Sequence, residues 1–337
     1  MKLSWPRLSS WLVPRTGWIQ IEVTSRCNAA CAYCPHTAYR EAWDSRDLSL
    51  ATFQRLLPVL ARKRWAYLQG WGEPLLHPDF FTMVALAKKT GCLVGTTTNG
   101  MLLDAGIADK LVEVGLDLVA FSLTGLKERN NEVRRGTSFA AVLEGIQALR
   151  AAKARAGSVK PQVHIAYLLL RSGLPDLEEL PQALQGLGID QVVISTLDFV
   201  PAQEWLGETL RPANPAEYEE LEARLQDLVQ AGERYGLPIH HQLPHPGERR
   251  LLCPENPLQS FFVSASGTVS PCVFTNLPVS GVTHWVNGRE VPYRRLTFGQ
   301  VQEEHLGAIW RRTPYVNFRR SFYTGVLAAP CRHCLKL

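Results

Sequence analysis

The chain has 337 residues, with 36 lysines and arginines against 31 aspartates and glutamates and a net charge of +5. Its 46% apolar content suits a globular protein with a sizeable core, and 20% charged residues are too few for a disordered chain. No stretch approaches the ~20 consecutive apolar residues that a membrane-spanning helix needs, so we expect no transmembrane segment.

The first residues are interrupted by Pro6, Arg7, Pro14 and Arg15. They lack the continuous apolar core and the small-residue cleavage site of a signal peptide, so we predict a cytoplasmic protein. We interpret residues 1–17 as an N-terminal extension. Its mixture of Trp, Leu and Arg favours packing on its own domain over contact with a membrane surface.

Six apolar runs of strand length alternate with segments of helical periodicity. The predicted strands are Trp18–Thr24, Trp65–Gln69, Cys92–Thr98, Leu116–Leu123, Val163–Leu170 and Gln191–Leu197. The predicted helices are Ser49–Lys63, Phe80–Thr90, Leu103–Val114, Ser138–Ala154 and Leu177–Leu187. This alternation predicts a parallel sheet, and six units are too few to close the usual eight-stranded barrel. We therefore predict an α/β fold with a partial (β/α)6 TIM-like barrel.

The pattern changes after the sixth predicted strand. A long charged helix, a last strand, a β-hairpin and an amphipathic helix are predicted at Pro215–Tyr235, Leu237–Gln242, Phe261–Val273 and Leu306–Phe322. The hairpin is expected to turn at Ser266-Gly267. We predict a core domain at residues 18–236 and a small domain of hairpin and helix at 237–337.

The chain contains eight cysteines, at Cys27, Cys31, Cys34, Cys92, Cys253, Cys272, Cys331 and Cys334. Disulfide scaffolds are usually short and dense in cysteine, whereas this chain is long with few cysteines. Clustered thiols in a chain without an export signal indicate metal ligands. Cys92 is the exception, because it lies inside an apolar strand and is predicted to be a buried, structural residue.

The first three cysteines follow the first predicted strand directly, as Cys27-x3-Cys31-x2-Cys34. Ligands in parallel-sheet proteins collect at the carboxyl ends of strands. Three thiolates on one short loop can hold three irons of a [4Fe–4S] cluster, which leaves one iron open for a substrate or cofactor. A structural zinc site usually takes four ligands, and no fourth follows at close spacing, although His36 is near.

This triplet, with Tyr33 before its last cysteine, resembles the radical S-adenosylmethionine (radical SAM) superfamily. Other parts of that family's pattern follow in order along roughly residues 18–200, at Gly72-Glu73-Pro74, Thr98-Asn99-Gly100, Phe121-Ser122-Leu123-Thr124-Gly125 and the segment 131–139. Each falls at the end of a predicted strand or soon after it, where the family would place it. In two departures from the pattern, Trp71 replaces a second glycine and Thr124 replaces an aspartate. Neither removes the chelating set, but Trp71 is expected to narrow the pocket.

The resemblance implies that the three cysteines ligate the cluster and that the amine and carboxylate of S-adenosylmethionine chelate its open iron. Other residues would contact the same cofactor. They are Tyr33 near the adenine, the turn Gly72, Glu73 and Pro74 at the ammonium group, Ser122 and Arg134 at the ribose or carboxylate, Arg135 as a competitor of Arg134, Leu197 at the adenine, and Asn99.

The last four cysteines are predicted to form a second site. Cys253, Cys272, Cys331 and Cys334 make a saturated set of four thiolates, which suits a structural zinc or a fully ligated [4Fe–4S] cluster. Within a radical SAM chain their spacing resembles the twitch domain, the shortened form of the SPASM domain. The resemblance therefore implies one auxiliary [4Fe–4S] cluster that transfers electrons or holds its domain together.

The activity implied by the resemblance is reductive cleavage of S-adenosylmethionine to a 5′-deoxyadenosyl radical, which abstracts hydrogen from a substrate. The auxiliary cluster would then accept an electron, so that the overall reaction is an oxidation. We favour a peptide or protein substrate, with a small molecule or tetrapyrrole as the alternative. Flavodoxin or ferredoxin is the expected electron donor.

Two alternatives of other classes remain, a zinc-bearing binding module with a basic tail and a non-catalytic electron carrier. Residues 240–337 hold 11 lysines and arginines against 5 acidic residues, a net charge of +6. This surplus favours a solvated helix face over an anionic substrate or acidic partner. No nucleic-acid motif is recognisable, so no nucleic-acid partner is expected.

Overall fold

Runs of β-branched and aromatic residues build the strands of this computed structural model, which describes residues 17–246 and 253–337. The predicted extension 1–17, with its packing or membrane contact, lies outside the described residues except for Gly17. The strands are β1 (Trp18–Ile21), β2 (Ala30–Cys31), β3 (Trp65–Leu68), β4 (Leu93–Thr98), β5 (Leu118–Leu123), β6 (Arg134–Arg135), β7 (Gln162–Leu169), β8 (Gln191–Thr196), β9 (Ile239–His240), β10 (Phe261–Val263), β11 (Thr268–Ser270), β12 (Thr283–Val286), β13 (Arg289–Pro292) and β14 (Gly299–Gln300).

Ten of these strands form one sheet in the order β14-β11-β10-β1-β3-β4-β5-β7-β8-β9. The six predicted strands, β1, β3, β4, β5, β7 and β8, pair in chain order and all in parallel. Within the described ranges, no pairing joins β9 to β14, so the sheet stays open. The predicted partial barrel of six βα units is confirmed.

Twelve helices alternate with or follow the strands within the described residues. They are α1 (Pro35–Ala38), α2 (Leu50–Gln54), α3 (Leu57–Leu60), α4 (Phe80–Lys89), α5 (Ala105–Glu113), α6 (Lys127–Val133), α7 (Phe139–Arg155), α8 (Leu180–Leu184), α9 (Pro215–Arg234), α10 (Leu306–Arg311), α11 (Thr313–Thr324) and α12 (Ala329–Arg332). Short 3₁₀ turns lie at Pro74–Leu76, Arg171–Leu177, Gln203–Glu208 and Val273–Thr275. The side chains of Asp104, Ser138 and Asn214 accept the free amide hydrogens at the starts of α5, α7 and α9. Among the described helices, none has the length and apolar character to cross a bilayer.

Burial explains why the central strands were recognisable. Five of the six residues of β5 are buried, as expected for a parallel strand covered on both faces. In β8, by contrast, Val192 and Ile194 are buried while Val193 and Ser195 are exposed. The alternating strand β8 therefore lies where the open sheet is covered on one face only.

Three predicted helices are shorter than expected, because each contains a proline. The segment Ser49–Lys63 splits into α2 and α3, since Pro58 has no amide hydrogen to donate to the carbonyl four residues before it. Pro181 likewise reduces the predicted helix Leu177–Leu187 to α8. Pro314 divides the predicted helix Leu306–Phe322 into α10 and α11, and Arg319 donates to the Trp310 carbonyl at 2.8 Å instead.

The predicted hairpin at Phe261–Val273 exists as β10 and β11, turning through Ser264–Gly267. Its first strand pairs in parallel with β1, with Phe261 opposite Ile19. The hairpin thus extends the barrel sheet. The boundary at residue 237 between two domains remains a prediction.

Glu22 ties three segments of this junction together from a fully buried position. Its two carboxylate oxygens accept the amide hydrogens of Trp71 at 2.8 Å and of Ala265 at 3.0 Å. Burial, partly offset by these hydrogen bonds, raises the pKa of Glu22 to about 7. The end of β1, the loop after β3 and the turn of the β10–β11 hairpin therefore share one buried acceptor.

Two small ladders were absent from the sequence prediction. In the first, β2 pairs with β6, which brings Cys31 opposite Arg134. In the second, β12 pairs with β13 around Asn287-Gly288, where both residues have positive φ, as a two-residue hairpin turn requires. Both ladders lie beside the predicted sites.

Candidate active site

The first three cysteines lie on the loop that leaves the carboxyl end of β1. Cys31 is fixed in the β2–β6 ladder, and Cys34 precedes the first turn of α1, where its carbonyl accepts two amide hydrogens. Burial, with a smaller effect of the neighbouring Cys31, raises the pKa of the Cys34 thiol to about 12. Burial also raises that of Cys27 to about 11. A free nucleophilic thiol needs a lowered pKa, so these thiols are not poised for nucleophilic catalysis.

A buried arginine lies beside the three thiols. Arg134 donates through Nη1 to the hydroxyl of Tyr33 at 2.6 Å, and Thr124 donates to the same hydroxyl at 3.3 Å. Burial opposes the positive charge of Arg134, but Tyr33 and the cysteine thiols raise its pKa above the ordinary value. Its Nε is buried and has no hydrogen-bond partner among the described groups. A donor left in this way is suited to an acceptor brought by a ligand, such as a carboxylate.

Hydrogen bonds of its own glutamate side chain hold the Gly72-Glu73-Pro74 turn in place. The Glu73 carboxylate is buried and accepts hydrogens from Thr98 at 2.8 Å and from the Asn99 amide at 2.6 Å. The backbone at Glu73 also donates to the Arg26 carbonyl at 2.8 Å. The Glu73 carboxylate is thus hydrogen-bonded within the protein. A ligand would therefore bind to the backbone of the turn and not to this side chain.

Replacing Gly72 by alanine is expected to destabilise the fold by about 1–3 kcal/mol, the usual cost of overpacking. A Cβ there would lie 2.3 Å from the Thr24 carbonyl oxygen and 2.5 Å from that of Arg26, and neither backbone atom can move aside cheaply. Chemical denaturation measures the change in the free energy of unfolding. The control is Gly207→Ala, because no atom lies within 4 Å of its Cβ position. Equal stability of the two variants would contradict the close approach at Gly72.

The remaining predicted contacts occupy different surroundings. Asn99 is buried and donates through Nδ2 to Asn28 at 2.7 Å, next to the Cys27 sulfur at 4.0 Å. Ser122 is half-buried on β5. Leu197 packs in an apolar cluster that Tyr33 also contacts. Arg135 is exposed, since alternate residues of the β6 strand face opposite sides. Of the two competing arginines, Arg134 is therefore the one beside the thiols.

The last four cysteines come together from three separate segments. They line one cavity of about 810 Å3, which Phe199, His284, Trp285 and Tyr293 also line. Burial is the main cause that raises the pKa of the Cys253 and Cys331 thiols to about 12, and neighbouring cysteine thiols add to it. The pKa of Cys272 is raised in the same way. Four thiols around one space, of which Cys331 is buried and the other three are half-buried, suit a saturated metal site.

An aromatic cluster that no sequence motif indicated lies between the Gly72-Glu73-Pro74 turn and the loop of the second cysteine set. Trp71 packs edge-on against Phe199 and Phe274, with ring centroids 6.3 and 5.7 Å apart, and Phe199 stacks on His284 at 5.1 Å. The indole nitrogen of Trp71 donates to the Val273 carbonyl, next to Cys272, at 3.2 Å. Trp71 thus connects the Gly-Glu-Pro turn to the loop of the second cysteine set. The Asn287-Gly288 turn was the available signal for the hairpin that carries His284.

The donors of both sets are cysteine thiols, the usual protein ligands of iron–sulfur clusters. The unpartnered Arg134 Nε provides a donor for the cofactor that such a cluster would hold.

Two family models match the chain. Residues 21–171 match the radical SAM superfamily, and residues 253–335 match SPASM, an iron–sulfur cluster-binding domain. The two matched segments contain the first and the second cysteine set, respectively.

Curated relatives match over nearly the whole chain. A tungsten-containing aldehyde ferredoxin oxidoreductase cofactor-modifying protein of Pyrococcus furiosus is 27% identical over 321 residues, covering 90% of this chain and 83% of the relative. A PqqA peptide cyclase of Gluconobacter oxydans is 26% identical over 318 residues, covering 93% of this chain and 81% of the relative.

Solved structures share the fold. Native anSMEcpe with bound AdoMet has a TM-score of 0.67 at 18% identity, covering 94% of this chain and 88% of that one. Streptococcus suis SuiB bound to S-adenosylmethionine has a TM-score of 0.66 at 14% identity, covering 94% of this chain and 70% of that one. At these identities the likeness concerns the fold alone.

Proposed function

Because the chain belongs to the radical SAM superfamily and carries a SPASM-type iron–sulfur domain, we propose that it modifies a peptide or protein substrate. The bound groups are a [4Fe–4S] cluster with S-adenosylmethionine in the barrel and an auxiliary cluster in the SPASM domain. When bound, the barrel cluster supplies the electron that cleaves S-adenosylmethionine to methionine and a 5′-deoxyadenosyl radical, which abstracts hydrogen from the substrate. The residues of the chain bind these groups, orient them and set their electrostatic surroundings.

Roles for the barrel residues follow from their contacts. We propose that Cys27, Cys31 and Cys34 ligate the first cluster. Arg134 would bind the carboxylate of S-adenosylmethionine through its unpartnered Nε, and Tyr33 would orient that guanidinium through the 2.6 Å hydrogen bond. These five residues share one loop and one short ladder, so a single local structure would hold both cluster and cofactor.

The other predicted contacts complete the proposed cofactor site. The backbone of Gly72, Glu73 and Pro74 would accept the ammonium hydrogens, because the Glu73 carboxylate is engaged within the protein. Ser122 would contact the ribose and Leu197 the adenine. Asn99 would act as a positioning residue, since both ends of its amide are already bonded.

The second cysteine set would hold the auxiliary cluster. We propose Cys253, Cys272, Cys331 and Cys334 as its four ligands, which leaves no coordination position for the substrate. This cluster would therefore accept an electron from the substrate rather than bind it. The cavity that these four cysteines line also has an aromatic wall at Phe199 and His284.

The observation that carries the peptide proposal is the similarity to a PqqA peptide cyclase over 93% of this chain, which spans both the barrel and the C-terminal region. A small-molecule substrate is the second candidate. It is favoured by the similarity to a cofactor-modifying protein over 90% of the chain.

A peptide substrate can be distinguished from a small-molecule substrate by testing which fraction of a cell extract stimulates turnover. The reconstituted full-length protein is incubated without oxygen with S-adenosylmethionine, dithionite and a size-separated extract of its native cells, and 5′-deoxyadenosine is quantified by chromatography. We expect stimulation by the peptide and protein fractions, and loss of that stimulation after protease treatment. Stimulation by a protease-resistant metabolite fraction would refute the peptide proposal. The control is the same extract with protein lacking iron.

We propose that flavodoxin or ferredoxin supplies the electron in the cell. Such carriers are commonly acidic, and residues 240–337 carry a net charge of +6. The rate of 5′-deoxyadenosine formation with a purified flavodoxin system should therefore fall as salt rises, because exposed charges are screened. A rate independent of ionic strength would argue against an electrostatic docking surface.

A further inference from the structure

A buried ion triad lies at the cavity of the second cysteine set. The ammonium group of Lys336 is 2.7 Å from a carboxylate oxygen of Glu255 and 3.2 Å from one of Asp198. The three side chains are only 14–17% exposed. They come from the end of β8, the loop after Cys253 and the last residues of the chain, so three distant segments meet in one charged group.

The triad and the four cysteines line the same cavity. Glu255 and Lys336 each follow a cysteine of the set by two residues. The charges of the triad therefore border the same space as the four thiols. The triad carries two negative charges and one positive charge.

Burial makes these charges effective. An exposed pair such as Arg155–Asp109, at 55% and 56% exposure, is screened by water and contributes little. The ammonium group of Lys336 instead lies 4.9 Å from the ring centre of Phe274 and is enclosed by protein. Charges in such surroundings act at lower effective dielectric constant, so they reach a neighbouring cluster with little screening.

We propose that Lys336, Asp198 and Glu255 set the reduction potential of the auxiliary cluster. Reduction adds one negative charge to the cluster, which Lys336 stabilises and the two carboxylates oppose. Removing the lysine charge should therefore make reduction harder, and neutralising either carboxylate should make it easier. The proposal concerns this chain's electrostatics alone and does not depend on which substrate it modifies.

The test is redox potentiometry of the auxiliary cluster, followed by electron paramagnetic resonance. A background in which Cys27, Cys31 and Cys34 are all alanine would remove the signal of the first cluster. We expect Lys336→Met to shift the midpoint potential to a more negative value, and Asp198→Asn and Glu255→Gln to shift it to more positive values. Lys336→Arg, which keeps the charge, should stay close to the parent.

The matched control is Lys88→Met, because Lys88 also pairs with a buried aspartate, Asp117, but does not line the cavity of the second cysteine set. Its potential should equal that of the parent. If the triad had a purely structural role, all of its variants would shift the midpoint potential in the same direction, and that result would overturn the proposal. Triad variants whose potentials equal that of Lys88→Met would also overturn it. If Lys336→Met fails to retain its cluster, the two nearly isosteric amide variants still decide between these outcomes.

Discussion

Replacing Cys27, Cys31 and Cys34 together by alanine is expected to abolish 5′-deoxyadenosine formation while about four iron atoms per chain remain bound. Cleavage of S-adenosylmethionine depends on the barrel cluster, which would lose its three proposed ligands. The second cysteine set contributes none of the substituted residues and lies in a separate cavity. Iron and sulfide analysis after anaerobic reconstitution, together with chromatography of the nucleoside product, measures both parts.

The matched control is Cys92→Ala. Cys92 is buried at the start of the β4 region and donates to the Ala87 carbonyl. This variant should keep about eight iron atoms and form the product at the parent's rate. Zinc without sulfide in the parent protein would support the binding-module alternative. Product formation by the triple variant would refute the assignment of the first three ligands.

Replacing Arg134 by methionine is expected to weaken binding of S-adenosylmethionine by about 10–100-fold. A hydrogen bond to a charged group contributes about 1.5–3 kcal/mol, and each 1.4 kcal/mol corresponds to a factor of ten in affinity. The guanidinium is buried beside the thiols and keeps an unpartnered Nε. Equilibrium binding to the reconstituted, oxidised protein measures the change without any turnover.

The neighbouring Arg135→Met variant provides the control, because that side chain is exposed on the other face of β6. Its affinity should match the parent. Tyr33→Phe separates direct binding from orientation, since it removes only the hydroxyl that accepts from Arg134. A larger loss in Arg135→Met than in Arg134→Met would reverse the assignment of the two arginines.

The barrel could be predicted from sequence because its strands are buried runs separated by amphipathic helices. Strands of this kind can be located from apolar content alone. The observed strands β1, β3 and β4 lie within a few residues of the predicted bounds. The helix breaks at Pro58 and Pro314 were also readable, since a proline inside a helix removes one backbone hydrogen bond. Apolar periodicity alone continues across such a break and so predicts one helix instead of two.

The candidate site was only partly readable. The cysteine spacing predicted both sets, but the choice between Arg134 and Arg135 depended on the register of β2 with β6, a ladder too short for any periodic pattern. Trp71 was expected to narrow the pocket. Its bond to the Val273 carbonyl and its packing on Phe199 are long-range contacts that no local pattern indicates.

The pairing of β10 with β1 makes the N-terminal barrel strand an interior strand of the sheet. A chain cut after residue 236 would turn β1 into an edge with unpaired backbone groups and would leave Glu22 without its Ala265 partner. Exposed edges of this kind promote association between molecules. The barrel segment expressed by itself should therefore be prone to aggregate, and separation of the two cluster-binding regions by simple truncation is the wrong strategy for studying either one.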